Sequence, residues 1–198
     1  MPPELGALVD PAHTALVTQE CQKGVIGDTA PLRELADAAA ATVVPNAARL
    51  ADAARTAGIP VVHCVAERRA DGLGSNANAR LFGAMRKAGV RLEPGSEATE
   101  VVDEIGVAPT DLVRTRLHGL GPMGGTDLDV VLRNLGVRTI VGVGVSLNVG
   151  MLSFCLDAVN LGYRFVMPRD AVAGVPAAYG EAVRDGETWR VPVLTETA

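Results

Sequence analysis

Three places in this 198-residue sequence set reactive groups at the ends of apolar runs, where α/β proteins bind ligands. Glu20 closes TALVTQE, Arg116 closes DLVRTR, and the turn Ser146-Leu147-Asn148-Val149-Gly150 follows VRTIVGVGV. A partly buried carboxyl group at a strand end suits general acid or base work, whereas the same group in water is an ordinary surface charge. Arg116 could pair with Glu20, or hold a substrate carboxylate, through its planar fork of donors. Arg114, two residues back on the same strand, is an equally placed competitor. Gly150 stands where a helix opens, and the first amides of a helix have no partner within it, so they can hold an anion or a developing oxyanion. Glycine there also lets a ligand approach the backbone closely, although a tight strand-to-helix turn would use it equally well.

The remaining reactive types carry less. His63 lies inside a strand and reads as a core histidine, with no acidic or second histidine partner at metal-ligand spacing. His118 lies in HGLGPMGG, a Gly-rich loop from which it could reach a ligand. Cys21 and Cys155 read as small buried residues, because a reactive thiol needs an electropositive and accessible setting. The three cysteines form neither a disulfide framework nor a zinc motif, and a reducing cytoplasm fits them.

These groups must be positioned by strands that alternate with Ala- and Leu-rich helices, the signature of a mostly parallel sheet covered on both faces. The expected fold is therefore α/β, a three-layer α-β-α domain spanning residues 1–198. Strands are expected at Thr14 to Glu20, Pro60 to Ala66, Asp111 to Arg116, Val137 to Val145 (central, because nearly all apolar), YRFVMP and VPVLTET. A loop should run through Gly24 and Gly27. The helical segment from Pro31 to Ala57 should break or restart at Pro45, which lacks an N–H, and end at Gly58. Further helices are expected in ANARLFGAMRKAG, in TDLDVVLRNLG with a Thr cap, from near Asn148 to Leu161, and in PAAYGEAVRDGETW.

Composition narrows the partners. A net charge of −5 with scattered Arg argues against nucleic acid, and no apolar run approaches the roughly 20 residues of a membrane span. MPPELGALVDPAH lacks the basic and apolar regions of a secretory signal, so a cytoplasmic protein acting on a small molecule is expected.

TALVTQECQ, VVPNAARLADAARTAGIPVVH, GGTDLDVVLRNLGVRTIVGVGVSLNVG and LDAVNLGYRFVMPRDAVAG, in that order and spacing, resemble the isochorismatase-like hydrolase superfamily, also called the cysteine hydrolases. The resemblance covers nearly the whole chain. Amidase members use an Asp, Lys, Cys triad, and by position the acid falls on Glu20, the base on Arg116 and the nucleophile on Gly150. Without a thiol no thioester can form. True isochorismatases also carry Gly at this position; they protonate a vinyl ether and let water attack the resulting cation. GVSLNVG is compatible with that branch, while Glu20 adds one methylene to the family's Asp. RLHGLGPM lacks the Lys and the aromatic lining of that branch, and aromatics are 3% of the chain.

The resemblance implies a homo-oligomer, dimer or tetramer, with no cofactor and no metal. It points to substrate contacts from Gln22, His118, Ser146, Asn148 and Val149 around catalytic Glu20, Arg116 and Gly150. The leading expectation is a hydrolase without a cysteine nucleophile, acting on a small polar molecule by acid catalysis from Glu20. The alternatives are an inactive relative that binds a small molecule or a protein, and thiol chemistry recruited from Cys21.

Overall fold

The computed structural model describes residues 4–178, 180, 182 and 191–197. After a short helix, α1 (Leu5–Leu8), come β1 (Thr14–Gln19), α2 (Lys23–Ile26), α3 (Arg33–Ala38), α4 (Val44–Thr56) and β2 (Val61–Ala66). The chain continues through α5 (Arg80–Lys87), β3 (Leu112–Arg116), α6 (Leu128–Asn134), β4 (Thr139–Val145) and α7 (Leu152–Asn160). β5 (Arg164–Pro168), β6 (Val172–Ala173) and β7 (Val193–Thr195) complete it.

The strands form one seven-stranded parallel sheet in the order β3-β2-β1-β4-β5-β7, with β6 against the end of β4. β1 and β4 are neighbours from which the chain winds in opposite directions. The crevice beyond their carboxyl ends is thus a topological switch point, the usual ligand site of such sheets.

Both faces of the sheet are covered, which explains the nearly unbroken apolar runs. Leu16, Val61, Val65, Val143 and Val145 pack with Val43, Ala47 and Ala51 on the α3–α4 side. Ala15, Val17, Val62 and Ile140 pack with Leu128, Leu132, Phe154 and Phe165 on the α6–α7 side. The rings of Phe154 and Phe165 meet edge to face at 4.9 Å. Gly142 admits Phe165 against the central strand, since a Cβ there would lie 2.2 Å from its ring.

Several local expectations are corrected. The stretch through Gly24 holds α2 rather than an open loop. The expected restart at Pro45 is found: a π turn at Ala39–Val43 leads from α3 into α4, which begins at Val44 and carries Pro45 in its first turn, where a missing N–H is tolerated. Gly58 does end that helix, at a φ of 71°. Thr126 Oγ1 accepts from the Leu128 amide at the start of α6, 3.2 Å away. The helix after β4 also opens with a π turn, Leu147–Met151. Within PAAYGEAVRDGETW residues 177, 178, 180 and 182 are helical, and the rest of that expected helix lies outside the described residues.

His63 is fully buried, as expected of a core residue, but an acidic partner reaches it from a distant part of the chain. Its Nδ1 lies 2.9 Å from Thr18 Oγ1 and its Nε2 3.2 Å from Asp111 Oδ2. Asp111 Oδ2 also accepts from Arg55 Nη2 at 2.6 Å and from the Ala108 amide at 2.8 Å. Burial pushes His63 below its ordinary pKa, although Asp111 pulls the other way. Burial pushes Asp111 up, but the hydrogen bonds from Arg55, Ala108 and His63 outweigh it and leave the carboxyl lowered.

In the unfolded chain His63 takes up a proton near pH 6.5, and in the folded protein only at lower pH, so below about 6.5 the unfolded state binds more protons. Stability should therefore fall as pH drops from 7 toward 5, with a further loss from Asp111 below about pH 4. His63→Gln should flatten the upper part of that profile in thermal melts between pH 8 and 5. An equally steep fall in the variant would assign the loss to other groups.

Candidate active site

β1 ends at Gln19 because Glu20 turns into the left-handed region, with φ 53°, the one non-glycine residue among those described with positive φ. Such a conformation is strained for a residue with a Cβ and gathers at functional sites. The Glu20 amide still donates to Cys64 O at 2.8 Å, which ties the turn to β2. The turn aims the carboxylate into a cavity of about 240 Å³ beyond the strand ends. The next residue, Cys21, goes into the core.

Arg116 comes from the carboxyl end of β3 and is 6% exposed. Its Nη2 donates to Glu20 Oε1 in a short ion pair and to Leu120 O at 3.2 Å. Arg114 lies on the same face two residues back, where its Nε is 3.7 Å from Asp127. Only Arg116 of the two lines the cavity. The choice between them follows from position along the strand, because only the last residue reaches past the sheet.

Gln19 completes the cluster and was not singled out by the sequence reading. It is fully buried, and its Nε2 donates to Glu20 Oε1 and to Leu120 O, each at 3.3 Å. The available signal was a polar residue in phase with Val17, on the α7 side of an otherwise apolar strand. Gly150 sits beside it: a Cβ at 150 would lie 3.0 Å from Gln19 Nε2 and 3.2 Å from Leu120 O. The clamp from Arg116 and Gln19 falls on one carboxylate oxygen, and Glu20 Oε2 has no hydrogen-bond partner among the described residues.

Glu67, immediately after β2, also lines the cavity. Its amide donates to Arg116 O at 2.8 Å, so it follows the strand that lies between those ending in Glu20 and Arg116. Burial pushes its carboxyl above the ordinary range. Sequence reasoning passed it over because it opens the polar stretch ERRADGLGSN, which reads as loop.

Of the expected substrate contacts, His118, Ser146, Asn148 and Val149 line the cavity together with Glu20, Arg116 and Gly150. Their free hydrogen-bonding capacity is smaller than the sequence suggested. Ser146 Oγ donates to Asn148 Oδ1 in a short bond, and Asn148 Nδ2 donates to Val175 O at 3.1 Å. The Val149 amide is committed to Ser146 O at 3.1 Å. His118 is exposed, with its ring over Gly125.

Gln22 is corrected outright as a cavity residue. It is fully buried, its Nε2 donates to Ala66 O at 2.9 Å and Ala98 O at 3.3 Å, and its Oε1 accepts from the Ala66 amide at 2.7 Å. It staples the chain after β1 to β2 and does not line the cavity.

The thiols are sequestered. Burial, with a smaller push from the Glu20 charge, raises Cys21 to about 12, and burial raises Cys64 and Cys155 to about 12 as well. Iodoacetamide at pH 8 should therefore leave the folded protein unmodified over the time in which the denatured chain is fully alkylated, as read by mass spectrometry. Rapid labelling of Cys21 in the native state would return thiol chemistry to the site. Among the described residues no group of three His, Cys, Asp or Glu side chains is placed to hold a metal ion. No helix among them is long and apolar enough to cross a membrane.

The sequence and the fold both have relatives. The model of the isochorismatase domain matches residues 14–186. An uncharacterized isochorismatase family protein of Bacillus subtilis, YwoC, is 32% identical over 167 residues, covering 83% of this chain and 80% of that protein. The ureidoacrylate amidohydrolase RutB of Rhizobium rhizogenes is 30% identical over 176 residues, covering 81% and 70%. The crystal structure of a cysteine hydrolase from Pseudomonas syringae pv. phaseolicola superposes with a TM-score of 0.82 at 24% identity, covering 96% and 91%. With its parallel sheet, its switch-point cavity and a domain match over most of its length, this chain belongs to the isochorismatase family of hydrolases.

Proposed function

We propose that this member of the family works without a cysteine nucleophile, and that Glu20 moves the proton while water attacks the substrate directly. The observation that carries the reading is Glu20 itself. Arg116 and Gln19 hold one carboxylate oxygen, and the other faces the cavity beside Gly150, where no side chain can attack. A carboxylate held in this way is oriented for proton transfer. Arg116 is then a positioning residue that fixes the Glu20 rotamer and balances its charge.

Two bond types suit this arrangement. In vinyl ether cleavage a protonated Glu20 delivers its proton to the enol ether carbon, water adds to the cation, and the hemiketal collapses to a ketone and an alcohol. In amide or ureido hydrolysis, the direction in which the likeness to ureidoacrylate amidohydrolases points, Glu20 takes a proton from the attacking water and passes it to the leaving nitrogen. Glu67 is a second group able to hold a proton at the same cavity.

The test measures pyruvate and ammonia released from isochorismate, its amino analogue and a panel of small amides and ureido acids, with wild type and Glu20→Gln in parallel. Pyruvate lost in the variant assigns vinyl ether cleavage, and ammonia lost in the variant assigns C–N hydrolysis. Silence across the panel overturns the proposal in favour of a binding protein in which Glu20 and Arg116 form a structural pair.

A further inference from the structure

The cavity does not match the small polar molecule that the sequence suggested. Its walls away from Glu20 are largely apolar: Val25, Leu35 and Leu92 on one side, and Leu81, Phe82 and Met85 of α5 on another. Pockets of this make-up bind apolar bodies and use a few polar groups to set orientation.

The charges along the lining are also unlike those of the chain as a whole. The chain carries a net charge of −5, yet three arginines and two glutamates line the cavity: Arg68, Arg86 and Arg116, against Glu20 and Glu67. Arg116 is neutralised by Glu20. Arg68 and Arg86 are different, because neither guanidinium has an ion pair or hydrogen bond among the described residues. Several other arginines of this acidic chain are paired, as in Arg33–Asp37, Arg69–Asp71 and Arg133–Asp129, while Arg80, Arg138 and Arg164 are, like these two, without an ion pair among the described residues; what sets Arg68 and Arg86 apart is that they line the cavity. Arg68 is half-buried at the start of the loop that leaves β2, two residues past the strand, and Arg86 is exposed on α5, so both are more open to solvent than Arg116. Glu67 is the one carboxylate of the lining without an ion pair among the described residues, and it follows β2, beside the strand that leads to Glu20, rather than lying between the two arginines in the chain.

We propose that the cavity takes an amphipathic anion, with an apolar body against Phe82, Met85 and Leu92, its carboxylate held at the mouth by Arg68 and Arg86, and its opposite end at Glu20. This names the substrate class and rests on the reading of the cavity as the substrate pocket. It predicts that the bond to be broken lies at the far end of an apolar spacer from the anionic group. Guanidinium groups suit this role because their paired donors match a carboxylate and they are weakly hydrated.

The test needs no turnover. Octanoate, octan-1-ol and octylammonium share one chain and differ in head group, and their affinities are measured by calorimetry on wild type, on Arg68→Gln/Arg86→Gln and on Glu20→Gln. Octanoate should bind wild type more tightly than octanol by roughly tenfold, the scale of one charge-assisted contact, with octylammonium weakest. The double variant should lose that advantage and keep its octanol affinity. The octanoate preference should also shrink between 20 and 300 mM salt, because an exposed ion pair is screened.

Nuclear Overhauser contacts from the octyl chain should fall on Phe82 and Met85. Octylammonium binding as tightly as octanoate, an octanoate affinity indifferent to the double variant, or contacts that miss Phe82 and Met85 would each overturn the proposal. Octanoate preference retained in Glu20→Gln together with catalytic silence in wild type would remove the chemical reading and leave the ligand class standing.

Discussion

Glu20→Gln should reduce turnover of an accepted substrate by about 10²- to 10⁴-fold, the usual contribution of a positioned acid or base. Gln keeps the length of the side chain and an oxygen that can accept from Arg116 and Gln19, so the hydrogen bonds that shape the floor survive. Only the capacity to bind and release a proton is lost. The variant loses the charge of the pair, and we expect it to be about 1–2 kcal/mol less stable, the cost of weakening a hydrogen bond to a charged group. Thermal melts would therefore show a folded protein at the assay temperature, which separates lost chemistry from lost structure. Glu20→Asp, which keeps the acid and shortens it by one methylene, should retain part of the activity with a lower kcat, since the group then stands back from the cavity. Undiminished turnover in Glu20→Gln would remove Glu20 from the mechanism.

Arg116→Met should have the largest effect on stability. Its side chain is 4% exposed, that of Glu20 18%, and removal of the guanidinium leaves the carboxylate and the Leu120 carbonyl without their strongest donor. Breaking a buried ion pair from one side costs about 3–5 kcal/mol, and the partial exposure of Glu20 sets the expectation at the lower end, about 3 kcal/mol. For a chain of this size that corresponds to a fall in Tm of roughly 6–12 °C. The double variant Glu20→Gln/Arg116→Met should recover a good part of the loss, because most of the penalty comes from the stranded charge rather than from the missing contact. Denaturant unfolding of the wild type, both single variants and the double variant gives the coupling energy directly. A loss below about 0.5 kcal/mol for Arg116→Met would place this pair with exposed salt bridges, whose contribution is small.

The sequence carried the fold through simple physics. A strand covered on both faces must be apolar along its length, and VRTIVGVGV is; it lies inside the sheet beside β1. Strand ends in a parallel sheet point one way, so Glu20, Arg116 and the turn to Gly150 had to gather at one edge. Three reactive positions spread from Glu20 to Gly150, 130 residues apart, are therefore expected at one edge from the sequence.

What escaped that reasoning depends on contacts between distant segments. Nothing in TQECQ says that Glu20 turns left-handed, that Gln19 lies beside Gly150, or that Gln22 is consumed by Ala66 and Ala98. His63 lacked an acidic partner in its neighbourhood and acquired Asp111 through the pairing of β2 with β3. Ser146 and Asn148 read as free polar groups because the Val175 carbonyl that helps engage them arrives 27 residues later. Apolar periodicity is a local property, set by which face of an element meets the core, and the sequence by itself therefore determined the layers, the strand ends and the edge at which ligands bind. Side-chain hydrogen bonds are spent according to neighbours that only folding supplies, and the tertiary structure alone decided that Arg116 rather than Arg114 pairs with Glu20, that Gln22 is structural, and that Glu67, Arg68 and Arg86 face the cavity.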